Sequence, residues 1–586
     1  MSSRKKELLS GNEAIARGAS DAGATVATGY PGTPSTEILE ALASCPGVYA
    51  EWSVNEKVAL EVASGASIAG ARALCSMKHV GLNVAADPLM TLSYTGVGGG
   101  LVIVTADDPG HHSSQNEQDN RNYAAFAKLP MLEPSDSEEA YHFTRIAFDI
   151  SESFDTPVLI RTTTRVSHSK SIVTAGEPST AKPAEPPRPD PAKYVMIPGI
   201  SEKRHELVED RLGRLGWYAD TFPHNTAEYY DTRVGIITSG ISYQYVREAM
   251  PEASVFKLGM SYPLPVDRLK EFAKRVERLY VVEELDPFIE TQVRSLGIEV
   301  TGRLSEPGFL PIVGELSPGA VAAAFGKKPL VPAAAEGLPA RPPALCPGCP
   351  HRGVFYTLGR LGYFVAGDIG CYTLAHQAPL SAVHTTLCMG AGIGQAHGIL
   401  KALEASGDGR RPRVAAVIGD STFMHSGMTG LLNTYYNNGG GTVIILDNRT
   451  TAMTGLQPHP GTGLTLKARH AGHADIKEVV SGMGISDVTV ADPYDLSSME
   501  RLLTRDTGTE GPRVIIARRP CVLIGKVNKR RPCRVEAVKC AGCGDCLWLA
   551  CPAISLRDGR AEIAGSLCTG CTLCRQVCTF GAVEHA

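Results

Sequence analysis

The chain has 586 residues, 43% of them apolar and 20% charged, with a formal charge of −4 at pH 7. That length exceeds one ordinary core, so roughly three to five domains are expected, and the near-neutral charge gives no footing for nucleic acid or a polybasic membrane contact. The first ten residues are basic without an apolar export run, no segment has the length to span a bilayer, and eight of sixteen cysteines crowd the last 47 residues; a cytoplasmic, metal-binding protein is expected rather than a disulfide-bonded one.

The first third alternates in character: a helix over 12–23, a strand over 25–28, a turn over 30–35 and a strand over 101–105. From 169 to 193 the text turns to Ser, Thr, Ala and six prolines, which suit neither a helix nor a central strand. Strands follow over 234–238, 255–258 and 279–283, with a helix over 243–250. A second Pro/Ala stretch over 328–343 precedes a unit with strands over 414–418 and 443–446, and a cysteine-dominated segment begins near Cys533. These signals predict an α/β protein with three open-sheet domains and a small C-terminal domain. The expected boundaries are a first domain at 1–168, a linker at 169–232, a middle domain at 233–327, a linker at 328–344, a third domain at 345–530 and the last at 531–586.

In that last segment Cys540, Cys543 and Cys546 form C-x2-C-x2-C, with Cys551-Pro552 after four more residues; Cys568, Cys571 and Cys574 repeat the spacing, with Cys578 after three. Paired runs of this kind hold two [4Fe-4S] cubanes, each run giving three thiolates to one and its last to the other. The expected sets are Cys540, Cys543, Cys546 and Cys578, and Cys551, Cys568, Cys571 and Cys574. Two departures are visible, the longer gap before Cys551 and Thr579 in place of proline. Zinc also accepts four thiolates, but three on one short loop suit a cube face better than paired knuckles.

Gly419-Asp420-Ser421 closes one apolar strand, and after 25 residues Asp447-Asn448 closes another. Strand, helix and strand then set both polar ends side by side at the carboxyl edge of a parallel sheet. Asp420, the Asn448 side chain and a backbone carbonyl near Thr450 are hard oxygen ligands suited to Mg2+. Upstream, Met389-Gly390-Ala391-Gly392-Ile393-Gly394 is a glycine-rich turn entering a helix, which suits diphosphate oxygens. Each piece alone is common, since Gly-Asp turns and tight glycine packing occur widely.

The pair resembles the G-D-G…N-N motif of thiamine-diphosphate enzymes, with Ser421 where glycine is commoner. Tyr30-Pro31-Gly32-Thr33-Pro34-Ser35 resembles the Y-P-x-T-P-S turn of 2-oxoacid:ferredoxin oxidoreductases, and the order of units resembles the large (alpha) subunit of their indolepyruvate type. That resemblance implies that Glu56, in Glu51-Trp52-Ser53-Val54-Asn55-Glu56, activates the aminopyrimidine, and that Thr33 touches the substrate carboxylate. Locally, Glu56 also reads as a helix-start residue, and Thr33 and Pro34 as a cap and first helical turn. His112 and Gln115, after the strand ending near Thr105, are substrate-facing candidates, although a solvated loop accounts for them equally. Cys346-Pro347-Gly348-Cys349-Pro350-His351 resembles the C-P-G-C-G-H element of related enzymes, implying a third [4Fe-4S] cluster on Cys346, Cys349, Cys371 and Cys521; zinc or a buried reduced pair also suits a C-x2-C knuckle. Cys45, Cys75, Cys388 and Cys533 are expected as free thiols.

The resemblance implies oxidative decarboxylation of aromatic 2-oxoacids such as indolepyruvate and phenylpyruvate, with coenzyme A taking the acyl group and ferredoxin the electrons. It further implies a smaller beta subunit and a dimer of heterodimers. The rivals are an oxidoreductase for another 2-oxoacid, a non-oxidative decarboxylase, which would have no use for paired cysteine runs, and a non-catalytic electron-transfer subunit, for which Glu56, Asp420 and Asn448 would serve nothing.

Overall fold

The computed structural model describes residues 6–180, 183–328, 337–338, 342–406, 413–505, 511–524 and 531–585. The chain divides into two compact units, Met1–Glu336 and Gly337–Ala586.

In the first unit a seven-stranded sheet runs in the order Met260–Tyr262, Met131–Leu132, Val158–Thr163, Leu101–Asp107, Ala73–Lys78, Val26–Gly29 and Tyr49–Trp52. All its pairs are parallel except the one made by Met260–Tyr262. The three central strands are buried along their whole length; the middle one opens on an apolar run over 101–104, while its neighbours carry Ser76 and Arg161 among their apolar residues. A four-stranded sheet, ordered Arg278–Val282, Asp231–Ser239, Ala253–Leu258 and Thr226–Glu228, completes the unit.

Two expectations change here. The predicted 1–168 and 233–327 domains share a sheet, because Met260–Tyr262 pairs with Met131–Leu132. Buried Arg121 reinforces the join, donating to Glu283 Oε2 and to the Glu284 carbonyl at 2.7 Å each. The predicted linker over 169–232 is also too long: Lys170–Thr174 is a strand, Thr226–Glu228 is another, and Pro198–Thr221 is a 24-residue helix. The proline-rich stretch ends at Pro191, and Pro198 stands in the first turn of this helix, where its missing N–H costs nothing. Val208, Arg211, Leu215 and Ala219 form that helix's buried stripe. Most of the predicted linker over 328–344 lies outside the described residues.

The second unit carries a parallel sheet ordered Thr385–Thr386, Phe364–Gly367, Val414–Gly419, Thr442–Asp447, Arg513–Arg518 and Val488–Ala491. Alternate side chains leave on opposite faces. Val417, Ile444 and Ile515 meet Phe355 and Leu358 of the helix His351–Arg360 and Met499 of Leu496–Thr504. Ile418, Ile445 and Ile516 meet Ile393 of Ala391–Ser406 and Val480 of Ile476–Gly482. After residue 531 only two antiparallel pairs remain, Cys533–Val535 with Val583–His585 and Ile554–Arg557 with Arg560–Ile563. Cys546, Leu549, Leu573 and Cys574 pack there with Leu496 of the sheet domain. Among the described residues no helix is long and apolar enough to cross a membrane.

Candidate active site

In the first unit Glu56 begins the helix Glu56–Ile68, and the N-cap Asn55 accepts the Val58 N–H at 2.9 Å. Glu56 is buried. Its carboxyl lies against Gly81, where a Cβ would stand 2.7 Å from Cγ and Oε1. The turn bearing Thr33 differs from the predicted cap: the helix is Thr36–Ala43, and Pro34 lies outside its first turn. The Ser35 hydroxyl donates to the Gly32 carbonyl at 2.9 Å, while Thr36 Oγ1 accepts the Gly32 N–H at 3.0 Å, so two other hydroxyls close the loop and Thr33 is left half-buried.

Lys78, at the carboxyl end of Ala73–Lys78, was not singled out by the sequence. It is buried, its Cβ lies 3.0 Å from where a Gly32 Cβ would stand, and its ammonium donates to the Ser113 carbonyl. It therefore joins the Thr33 turn to the loop holding His112 and Gln115. Burial pulls its pKa down to about 8, against the opposing pull of Asp108. His112 and Gln115 are themselves exposed, and His112 Nε2 stands 3.5 Å from Glu315. A lone lysine ending an apolar strand carries no sequence signal beyond that position.

In the second unit Val414–Gly419 and Thr442–Asp447 are neighbours, so Asp420 and Asn448 come together at the sheet's carboxyl edge as the spacing predicts. Asp420 accepts the Ser421 N–H at 2.8 Å through one oxygen and the Arg449 N–H at 2.7 Å through the other. Asn448 Oδ1 accepts the Thr450 N–H at 3.1 Å. Ser421 is accommodated where glycine is commoner, because its hydroxyl accepts from Thr451 at 2.8 Å. Gly419 cannot carry a side chain freely, a Cβ there standing 3.0 Å from the Tyr372 ring.

The glycine-rich turn is packed tightly by the same measure. Gly390 has φ +86° and a Cβ there would lie 2.4 Å from Ser426 Oγ, while one on Gly392 would lie 2.8 Å from the Ala366 carbonyl. The Gly390 N–H donates to Asp368 at 3.0 Å, and burial drives that carboxyl well above the usual carboxylate range. Two histidines missed by sequence reasoning stand beside Asp420 and Asn448. His459 Nδ1 accepts the Gly461 N–H at 3.2 Å, which leaves the proton on Nε2, 3.1 Å from Asp420 Oδ2. His351 Nε2 lies 3.4 Å from Asn448 Nδ2, and burial pushes its pKa down to about 4. Among the described residues no three His, Cys, Asp or Glu side chains form a ready-made single-ion site. A magnesium ion would need backbone and diphosphate oxygens beside Asp420 and Asn448.

The C-terminal cysteines line two cavities. One, of about 20 Å³, is walled by Cys540, Cys543, Cys546 and Cys578; the other, also of about 20 Å³, by Cys551, Cys568, Cys571 and Cys574. These are the two crossed sets expected from the spacing. Cys533, expected as a separate thiol, instead lies in the wall of the second, and its N–H points to Cys568 Sγ at 3.3 Å. Cys346, Cys349, Cys371 and Cys521 also gather. Burial and then the thiols of Cys521 and Cys346 push Cys371 up to about 11, and burial raises Cys349 to about 12 with Cys371 and Cys346 adding to it. The Cys521 N–H donates to the Asn448 carbonyl at 2.9 Å, so this group adjoins the Asp420 site.

Residues 17–205 match the family described as "Pyruvate flavodoxin/ferredoxin oxidoreductase, thiamine diP-bdg", and residues 368–517 match "Thiamine pyrophosphate enzyme, C-terminal TPP binding domain". Together they define a thiamine-diphosphate-dependent 2-oxoacid:ferredoxin oxidoreductase. The "Indolepyruvate oxidoreductase subunit IorA" of Archaeoglobus fulgidus is 40% identical over 99% of this chain and 98% of its own length; that of Methanothermobacter marburgensis is 41% identical over 98% and 97%. The chain belongs to the family of indolepyruvate:ferredoxin oxidoreductase alpha subunits. A solved 2-oxoglutarate:ferredoxin oxidoreductase from Magnetococcus marinus, with 2-oxoglutarate, coenzyme A and succinyl-CoA bound, aligns over 55% of this chain and 65% of its own at 15% identity and a TM-score of 0.45.

Proposed function

We propose that the chain oxidatively decarboxylates aromatic 2-oxoacids of the indolepyruvate and phenylpyruvate type, giving acyl-CoA, carbon dioxide and reduced ferredoxin. Thiamine diphosphate supplies the carbanion chemistry at the keto carbon, and [4Fe-4S] clusters accept the electrons singly. Glu56 holds a proton at the aminopyrimidine. Gly390 and Gly392 belong to the turn that meets the diphosphate, and Asp420, Asn448 and Thr450 hold Mg2+ beside it. Thr33 meets the substrate carboxylate, with His112 and Gln115 on the adjoining loop. Residues 531–586 act as a ferredoxin-like domain carrying two clusters on the crossed cysteine sets, and Cys346, Cys349, Cys371 and Cys521 carry a third.

The observation that carries this reading is the placement, in one compact unit, of the Asp420–Asn448 edge and two cavities lined by the two crossed cysteine sets. The names of the relatives support the aromatic substrate and a smaller beta subunit, with which we propose that the chain forms a dimer of heterodimers. Anaerobic protein reconstituted with that subunit should reduce viologen with coenzyme A and an arylpyruvate, and far less with pyruvate or 2-oxoglutarate. Asp420→Ala should abolish Mg2+-dependent thiamine diphosphate binding. Unchanged binding in that variant, or iron-free protein, would overturn the proposal.

A further inference from the structure

Arg352 is 1% exposed, one of the largest fully buried side chains of the chain. Its guanidinium donates only to backbone carbonyls: Nη1 to Leu549 at 2.7 Å and to Ala550, Nη2 to Leu345 and to Cys346 at 3.1 Å, and Nε to Cys346 at 3.3 Å. Among the described residues no carboxylate pairs with it. A buried cation without a counter-ion is costly, and carbonyl dipoles alone do not replace an anion. Cysteines stand on both sides of it: Arg352 lines the cavity walled by Cys551 and Cys571, and its Nη2 and Nε reach the carbonyl of Cys346 at the start of the turn that bears Cys346 and Cys349.

Those four cysteines belong to two different sets. Cys551 and Cys571 wall the second of the C-terminal cavities, which Arg352 also lines. Cys346 and Cys349 belong to the group beside Asn448. The two sets are in close contact, since Gly348, between Cys346 and Cys349, leaves no room for a Cβ against Thr569, which would stand 2.0 Å from its Oγ1. The carbonyls of Leu345 and Cys346 on one side, and of Leu549 and Ala550 on the other, clamp the guanidinium plane at this junction.

The geometry points to Arg352 as the shared counter-ion of two iron–sulfur clusters, one on Cys346, Cys349, Cys371 and Cys521 and one on Cys551, Cys568, Cys571 and Cys574; this rests on the cluster assignments proposed above. A cluster ligated by four thiolates is anionic and gains a further negative charge on reduction, so a fixed neighbouring cation favours the reduced form and raises the potential. One guanidinium placed between two clusters raises both, and leaves the cluster on Cys540, Cys543, Cys546 and Cys578 untouched. Arg352 is thus a positioning and tuning residue that keeps the two inner sites reducible in sequence.

The test is an EPR-monitored redox titration of the whole anaerobic chain with its smaller subunit, comparing wild type, Arg352→Gln and Arg352→Lys. The glutamine variant should shift the reduction equilibrium of the two inner clusters at least tenfold toward the oxidised form, about 59 mV for a one-electron couple. The outer cluster should stay at its wild-type potential, and the lysine variant should stay close to wild type at all three. Inner potentials unchanged in the glutamine variant at full iron content would overturn the inference. If the glutamine variant loses iron, the lysine variant decides: wild-type potentials support the role of the charge, and potentials lowered as though the charge were gone overturn it. Wild-type protein holding two clusters instead of three would fail the underlying assignment, a result separable from any effect at Arg352.

Discussion

The carboxyl of Glu56 occupies the space that a side chain on Gly81 would need, a Cβ there standing 2.7 Å from its Oε1. Gly81→Ala should therefore displace the carboxyl while leaving the second unit intact. A misplaced catalytic group costs about 10²-fold in rate, so kcat should fall by that order. Glu56→Gln should cost about 10²–10⁴-fold. Alanine favours a helix over glycine by about 1 kcal/mol, so a thermal midpoint held or raised in Gly81→Ala would separate displacement from unfolding. Wild-type turnover in that variant would show that Glu56 is not the proton holder.

His459 stands 3.1 Å from Asp420 Oδ2 with its proton on the near nitrogen. Groups that orient a metal-binding carboxylate typically contribute about 10–100-fold in metal affinity. His459→Ala should weaken Mg2+-dependent thiamine diphosphate binding by that factor, measured calorimetrically across magnesium concentrations. Equal affinity in wild type and His459→Ala would remove the histidine from the site.

The crossed cavities make an assignment that double variants can check. Cys551→Ala with Cys568→Ala should lose no more iron than Cys568→Ala alone, about four atoms, because both belong to one cluster. Cys551→Ala with Cys540→Ala should lose about eight. The reverse pattern in an iron and sulfide count would mean that each run keeps its own fourth ligand.

Lys78 sets a pH dependence. Its pKa is held down to about 8 in the folded chain against about 10.4 when unfolded, chiefly by burial. Between those values the unfolded chain binds a proton that the folded chain does not, so stability rises with pH across the window, and below about 8 the cost of burying the charge is fully present. Lys78→Met should be more stable than wild type at pH 7, with the advantage shrinking as pH climbs past 8. Placed between the Thr33 turn and the 111–117 loop, Lys78 is also the candidate cation for the substrate carboxylate. The same variant should raise KM for the 2-oxoacid about tenfold with a smaller change in kcat. A KM left unchanged would leave it a purely structural lysine.

Much of this site is legible in the amino-acid sequence alone. Asp420 and Asn448 could be paired because strand, helix and strand impose a fixed interval, and the cysteine cavities because three thiolates on a short loop leave few geometries. His459, His351 and Arg352 were not legible, since a lone histidine or arginine acquires meaning only from what folds against it. The fold shows the same division. Buried parallel strands declare themselves as apolar runs, whereas Met260–Tyr262 is three residues long and its partner, Met131–Leu132, lies far back in the chain. The helix Pro198–Thr221 hid behind a proline-rich approach and a narrow buried stripe.

The crossing of the cysteine runs has a mechanical consequence. Each cavity takes its walls from both ends of the stretch between Cys540 and Cys578, so neither could be emptied without loosening the other's anchor. With so little sheet and helix of its own, this stretch would be riveted by its inorganic contents. Loss of one rivet would then slacken the whole stretch, while the other, still gripping both of its ends, keeps it closed.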